Sequence, residues 1–514
     1  MSNKVSSHLF KLIKSLSKPE KRYFKLYTSR HIIGEKNNYQ ILFNAIDKQT
    51  EYDEDAIKKK FAKEAFINKF SITKNRLYDQ ILKSLDAYHS NSSIDAQLKR
   101  NIHAAEILYK KTLYNQSAKL LRSAKKVATK YERHTTLLEI QMWEKRLIEK
   151  DNYTEVKEIQ LEKIIEEDRI TLQKIANFKE FWNIKSRLFY ILNKKGKVRS
   201  VEELNNFKSI IDNVLLERED SAQYHETKYL YNHIYSAYYF GIGDYVNSYE
   251  HLIKNIDLIE SEIDAFKEEP NIYFSVLTNT IYVASQLKRY DDVFKFLDRL
   301  HSLPERMKID GNEDLDIKLF SSAYSIELTI HSITGNFEKG IELVPIIEEG
   351  FKLYGNKINN VRTAFICFNI AVLYLGAEQQ SKALKWINRI LNDVDIAKSE
   401  DLHCFAQILN LIIHLELGNQ RLIPYALKST QRYLNTRNRV YKFEGVILKF
   451  ISKALRIKDE EKAVEVYTGL KEELLILKQD NFEKTAFEYF DFVAWAEHKI
   501  TGKSFKEIVQ KSVD

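Results

Sequence analysis

The sequence predicts an all-α chain of antiparallel helix pairs stacked one on the next. Three observations predict it. The 514 residues hold only 14 glycines and 5 prolines, too few for a protein of tight β-hairpins and suited to long helices joined by short turns. Apolar residues fall at i, i+3, i+4 and i+7 over successive helix-length stretches, as in "YNHIYSAYYFGIG" followed by "DYVNSYEHLIKNIDLI". A turn signature followed by a small residue also recurs along the chain.

Residues 1–90 precede the recurring signature and read as a separate helical domain. Ser17 and Glu20 make a capping box that starts one helix, with Pro19 in its first turn. "NYQILFNAIDKQ" and "DEDAIKKKFAKEAF" supply two more helices, and "INKF" a short turn. "SITKNRLYDQILKSLDAY" completes the set, with Ser71 expected as its N-cap. The last helices have helix-turn-helix proportions. Lys74, Asn75 and Arg76 then occupy the recognition-helix start, where such residues meet base edges. Lys58, Lys59 and Lys60 would meet phosphates. The other reading is a helical cap over the apolar end of a repeat array.

Residues 91–514 carry the recurring signature. Its best copies are "GIGDYVNSYEHL" and "SITGNFEKGIEL". Gly243 or Gly335 can take the positive φ that closes a helix, and Asp244 or Asn336 is expected to cap the next one. Tyr245 or Phe337 then packs back across the hairpin. The small residue three positions on, Ser248 or Gly340, lets two helices cross closely. Aligned positions fall at Ala118, Val156, Val201, Ser248, Val293, Gly340, Ala383, Ala426 and Ala463. Their average spacing is about 43 residues, the interval of a repeat array.

The turn Gly-Asp/Asn-Tyr/Phe-x-x-small, with an aromatic nine residues before the small position at Tyr239, Tyr374 and Tyr109, resembles the tetratricopeptide-repeat family. The resemblance spans roughly residues 95–500, with helices about one turn longer than that family's 34-residue unit. It implies a right-handed superhelical solenoid of antiparallel helix pairs that binds a protein or peptide on its concave face. By the family's register, His233, Thr278, Asn279, Tyr282, Ser325, Thr329 and Asn369 line that face.

Net charge is +8, unevenly spread. Residues 1–90 hold 18 Lys and Arg against 10 Asp and Glu, and residues 91–150 hold 13 against 6, so the remainder is mildly acidic. A basic front end suits nucleic acid or solvated helix faces alike. The residues lack the signatures of an enzyme. "TGKS" at Thr501–Ser504 lacks the upstream glycine of a phosphate loop and reads as a helix boundary, with Gly502 closing one helix and Ser504 and Glu507 boxing the next. The 13 histidines form no HExxH pair. Neither a metal nor a cofactor is expected. Two cysteines and the absence of a membrane-length apolar run point to the cytoplasm. The expectation is a non-enzymatic protein- or peptide-binding scaffold; the alternative is a transcriptional or nucleic-acid-associated regulator contacting nucleic acid within residues 1–150.

Overall fold

The computed structural model describes residues 7–29, 37–90, 93–150, 152–154, 156–195, 198, 201–309, 312–392, 400–436, 441–457, 459–480, 483, 486–487 and 489–513. The described residues are mostly helical, and none of them forms a strand. Many helices pack in pairs, compatible with a helical repeat. The chain divides into two compact units, the first comprising residues 1–182 and 222–227 and the second residues 183–221 and 228–514.

The first unit holds α1 (His8–Ser15), α2 (Lys18–Ser29), α3 (Asn38–Asp47), α4 (Glu54–Lys60), α5 (Phe70–His89), α6 (Ile94–Lys110), α7 (Tyr114–Lys130), α8 (His134–Lys150) and the start of α9 (Glu158–Lys195). The first five helices close around their own core of Ile13, Phe24, Phe43, Ile46, Phe70 and Ile81. The expected capping box is present: Ser17 N–H donates to Glu20 Oε2 at 2.7 Å, and Glu20 N–H points back to Ser17 Oγ at 3.4 Å. Ser71, expected as a cap, lies inside α5 instead, because the helix already begins at Phe70 after a 3₁₀ turn over Ala65–Lys69. A second core of Leu98, Ile102, Leu121, Ala124, Ile140 and Trp143 joins α6, α7 and α8.

The second unit continues with α10 (Val201–Ile211), α11 (Val214–Glu217), all but the first residues of α12 (His225–Ile242), α13 (Tyr245–Ser261), α14 (Ile263–Phe266), α15 (Pro270–Gln286), α16 (Tyr290–His301) and α17 (Leu303–Met307). Then come α18 (Glu313–Ile333), α19 (Phe337–Glu342), α20 (Val344–Tyr354), α21 (Asn360–Gly376), α22 (Gln380–Leu391) and α23 (Glu400–Glu416). The chain ends in α24 (Ile423–Thr436), α25 (Lys442–Ala454), α26 (Glu460–Gln479), α27 (Phe492–Thr501) and α28 (Phe505–Val513).

One corner recurs in both units. A left-handed residue ends a helix, and the next N–H bonds to the carbonyl five residues back, the closing bond of a Schellman turn. Leu113 reaches Leu108 O at 2.9 Å, Arg133 reaches Ala128 O at 2.8 Å, and Asp244 reaches Tyr239 O at 2.9 Å. Arg289 to Ala284, Asn336 to His331 and Gln379 to Tyr374 repeat it at 2.9, 2.9 and 2.8 Å. Glycine takes the left-handed place at Gly243 and Gly335, whereas Thr112, Glu132, Lys288 and Glu378 take it elsewhere. Asp244 caps α13 as expected, accepting from Asn247 N–H at 3.1 Å. Asn336 does not cap α19; its amide donates to Thr334 Oγ1 at 2.9 Å instead.

The fourth residue of the following helix meets the preceding one. Ser248, Val293, Gly340 and Ala383 are buried there, while Ala426 and Ala463 are half-buried. Three expected positions move. In α7 the buried residue is Ser117, one place before Ala118. Val156 precedes α9 outside any helix, and Val201 is the exposed first residue of α10, so neither marks a hairpin crossing. The long α9 lies between those two positions.

The end of the chain turns back on earlier hairpins of the second unit. Phe505 in α28 stacks on Phe337 with ring centroids 5.5 Å apart, and Gln510 Nε2 donates to Gly335 O at 3.4 Å. Lys506 pairs with Glu338 at 2.8 Å, and Lys288 Nζ donates to Ser512 O at 3.3 Å. In α27, Trp495 Nε1 donates to Glu416 Oε1 at 2.8 Å. Gly502 closes α27 and the Ser504–Glu507 box starts α28, so "TGKS" is a helix boundary as expected.

Candidate functional site

The seven residues assigned to a concave face sit on α12, α15, α18 and α21, and the structure sorts them into four environments. Asn369 Nδ2 donates to Thr329 Oγ1 at 2.9 Å and to Ser325 O at 3.4 Å, and Thr329 Oγ1 donates to Ser325 O at 2.9 Å. These three tie α21 to α18, and Ser325 and Asn369 are buried. Thr278 bonds into its own helix, to Phe274 O and Ser275 O at 3.0 Å. His233 is sandwiched between Phe189 and Tyr229, with centroids 4.8 and 5.1 Å away. Burial, with the charge of Lys185, holds its imidazole at about 4, so it is neutral near pH 7.

Asn279 and Tyr282 face outward together. Tyr282 is 47 % exposed, with its ring edge against Phe240 at 5.8 Å. One turn of α15 therefore presents an amide and an aromatic face to solvent, a pairing that supplies contact area and hydrogen bonding to a polypeptide.

The basic head residues also separate. Lys74 lies at the α4–α5 contact, its ammonium against Glu54 beneath the rings of Tyr52 and Phe70. Lys58 pairs with the same carboxylate at 2.8 Å. Burial alone would raise Glu54, but hydrogen bonds from Lys58, Lys74 and Tyr52 hold it at about 2. Lys59, Lys60, Asn75 and Arg76 are exposed, and Lys60 lies over the Phe61 ring. The six residues assigned to nucleic acid are thus divided between a structural ion pair and open surface.

Sequence reasoning did not find the carboxylate–imidazole cluster at α16 and α18. His301 Nε2 lies 2.7 Å from Glu327, and His331 Nε2 lies 3.8 Å from its other oxygen. Burial would raise Glu327, but the hydrogen bonds and charge of the two imidazoles hold it at about 2. It also did not assign the stack of Tyr235 and Tyr239 on His251, at 5.0 and 5.8 Å, with His251 Nδ1 2.9 Å from Asn232 Oδ1. The i, i+4 tyrosines were visible; their α13 partner was not. Among the described residues no three His, Cys, Asp or Glu side chains gather to hold a metal ion. No described helix is long and apolar enough to cross a membrane.

Compared with known proteins, no family model matches the chain, and no curated protein matches it.

Proposed function

We propose that the helix pairs of the second unit wind as a right-handed, tetratricopeptide-like superhelix and that the protein is a non-enzymatic scaffold of the cytoplasm. It binds a protein or peptide through the outward turn of α15. The observation that carries this reading is the repeated corner, in which a left-handed residue, a Schellman bond and a small buried fourth residue recur at α12/α13, α18/α19 and α21/α22. A ladder of equivalent hairpins is the arrangement that builds an extended recognition wall. Within it, Asn279 and Tyr282 are the assigned residues that present polar and aromatic groups outward.

Affinity capture with quantitative mass spectrometry tests the reading. Asn279→Ala with Tyr282→Ala should remove specific partners that the wild type and a Lys352→Ala control retain. An unchanged partner set would end the assignment. Asn369→Ala is the contrasting variant: it should lower stability through lost α18–α21 hydrogen bonds.

A further inference from the structure

We propose that the cleft between α7, α8 and α9 in the first unit binds the phosphodiester backbone of a single-stranded nucleic acid. The cleft has a volume of about 820 Å³ and is lined by Arg122, Lys125, Lys126, Lys130 and Lys163 against Glu144 and Glu167. Both carboxylates are already committed. Lys125 Nζ lies 2.7 Å from Glu144 and 2.8 Å from Glu167, an interior tie that fixes the cleft walls. Arg122, Lys126 and Lys130 are left as exposed cations at i, i+4 and i+8 on one face of α7. They form a row with a step of about 6 Å.

The sequence of α7 separates this face from ordinary solvated charge. Several exposed cations elsewhere sit beside acids on the same helix, as Lys110 with Glu106 and Arg169 with Glu166 do, and the acid-free helices α22 and α24 carry only three and two cations. Helix α7 carries Lys119, Arg122, Lys125, Lys126 and Lys130 and no carboxylate at all. Like charges at i, i+4 destabilise a helix, so this row costs stability unless an anion relieves it. The ligand is a strand, because several cations in line match successive phosphates and one compact anion uses only part of the row. In the same unit the exposed Tyr88 and the half-buried Tyr23, centroids 5.1 Å apart, lie beside Lys18 and Arg22 in a second cleft of about 420 Å³. Tyrosine faces beside cations are where bases of a single strand stack.

Fluorescence anisotropy of the full chain with a labelled oligothymidylate or oligouridylate across a salt series tests the proposal. Binding should weaken linearly in log–log form, with a slope near −2 for three phosphates at about −0.7 each. Lys126→Glu with Lys130→Glu should weaken binding at least about tenfold and flatten the slope by about 1.4. Lys59→Glu with Lys60→Glu should change neither. Circular dichroism checks that the variants fold; these residues are exposed and should leave it unaltered. No binding at low salt overturns the site, and so does equal binding by the α7 variant. Duplex binding as tight as the single strand, or equal competition by inorganic polyphosphate, overturns the ligand.

Discussion

Ser248 Oγ donates to Ser236 O across the α12/α13 hairpin at 2.9 Å, and Ser117 Oγ donates to Ala105 O across α6/α7 at 2.8 Å. In both, a serine bonds the carbonyl twelve residues earlier, and both serines are buried. The small residue therefore does two things: it admits close helix approach, and its hydroxyl joins the two backbones. Ser248→Ala keeps the size and loses the bond, which should cost about 1 kcal/mol. Ser248→Leu should cost about 1–3 kcal/mol through overpacking. Urea denaturation of both variants checks the order; a leucine as mild as alanine would remove the close-crossing argument.

Two glycines at equivalent corners should respond differently to one methyl group. Gly243 and Gly335 both have positive φ, but a Cβ on Gly243 meets nothing within 4 Å, whereas one on Gly335 comes within 2.8 Å of Gln510 Cγ and 3.3 Å of Lys506 O. Gly243→Ala should cost about 1–2 kcal/mol from left-handed backbone alone. Gly335→Ala carries the same strain and also presses on α28, so it should cost more and raise protease cleavage near Gly502. Melting curves and limited proteolysis separate the two.

The converse substitution applies where glycine is missing. Glu378 and Thr112 hold φ of 57° and 61°, a conformation that costs a side-chain-bearing residue about 1–2 kcal/mol. Glu378→Gly should stabilise by roughly 0.5 kcal/mol, the strain relieved less the greater chain entropy lost. A lower melting temperature would show that the Glu378 side chain contributes more than its backbone strain.

These corners also explain what was legible in the sequence. Gly243 and Gly335 announced their turns because glycine is scarce here. Thr112, Lys288 and Glu378 adopt the same backbone without announcing it, so those hairpins showed only through the residue downstream, Ala118, Val293 with Tyr290, and Ala383. The α7 crossing fell one place off, since Ala118 and Ser117 are both small and only burial chooses between them. Val156 and Val201 failed because they flank the 38-residue α9 without entering a hairpin crossing: Val156 precedes that helix, and Val201 is the exposed first residue of the next. The candidate surfaces were less legible. Asn369 and Lys74 look like ligand-binding groups by type, and each is committed to a neighbouring helix. Such pairings join residues 20 to 40 positions apart, which helical spacing does not reveal.

His233 gives the fold a pH dependence whose sign follows from its sandwich between Phe189 and Tyr229. Its folded value of about 4 lies below the ordinary 6.5. Between those values the unfolded chain takes up a proton that the folded chain refuses, so stability falls as pH falls. The contribution is complete above pH 6.5 and about 2 kcal/mol is lost by pH 5. Burial, chiefly, sets His134 and His251 at about 4 as well, so the wild type should lose stability more steeply than one histidine accounts for. His233→Phe keeps an aromatic ring between Phe189 and Tyr229 and removes the titration. Urea denaturation at pH 7 and pH 5 should show a smaller loss in the variant, by about 2 kcal/mol. An identical loss would mean that the imidazole is protonated in place, and that the stacked rings do not exclude its charge.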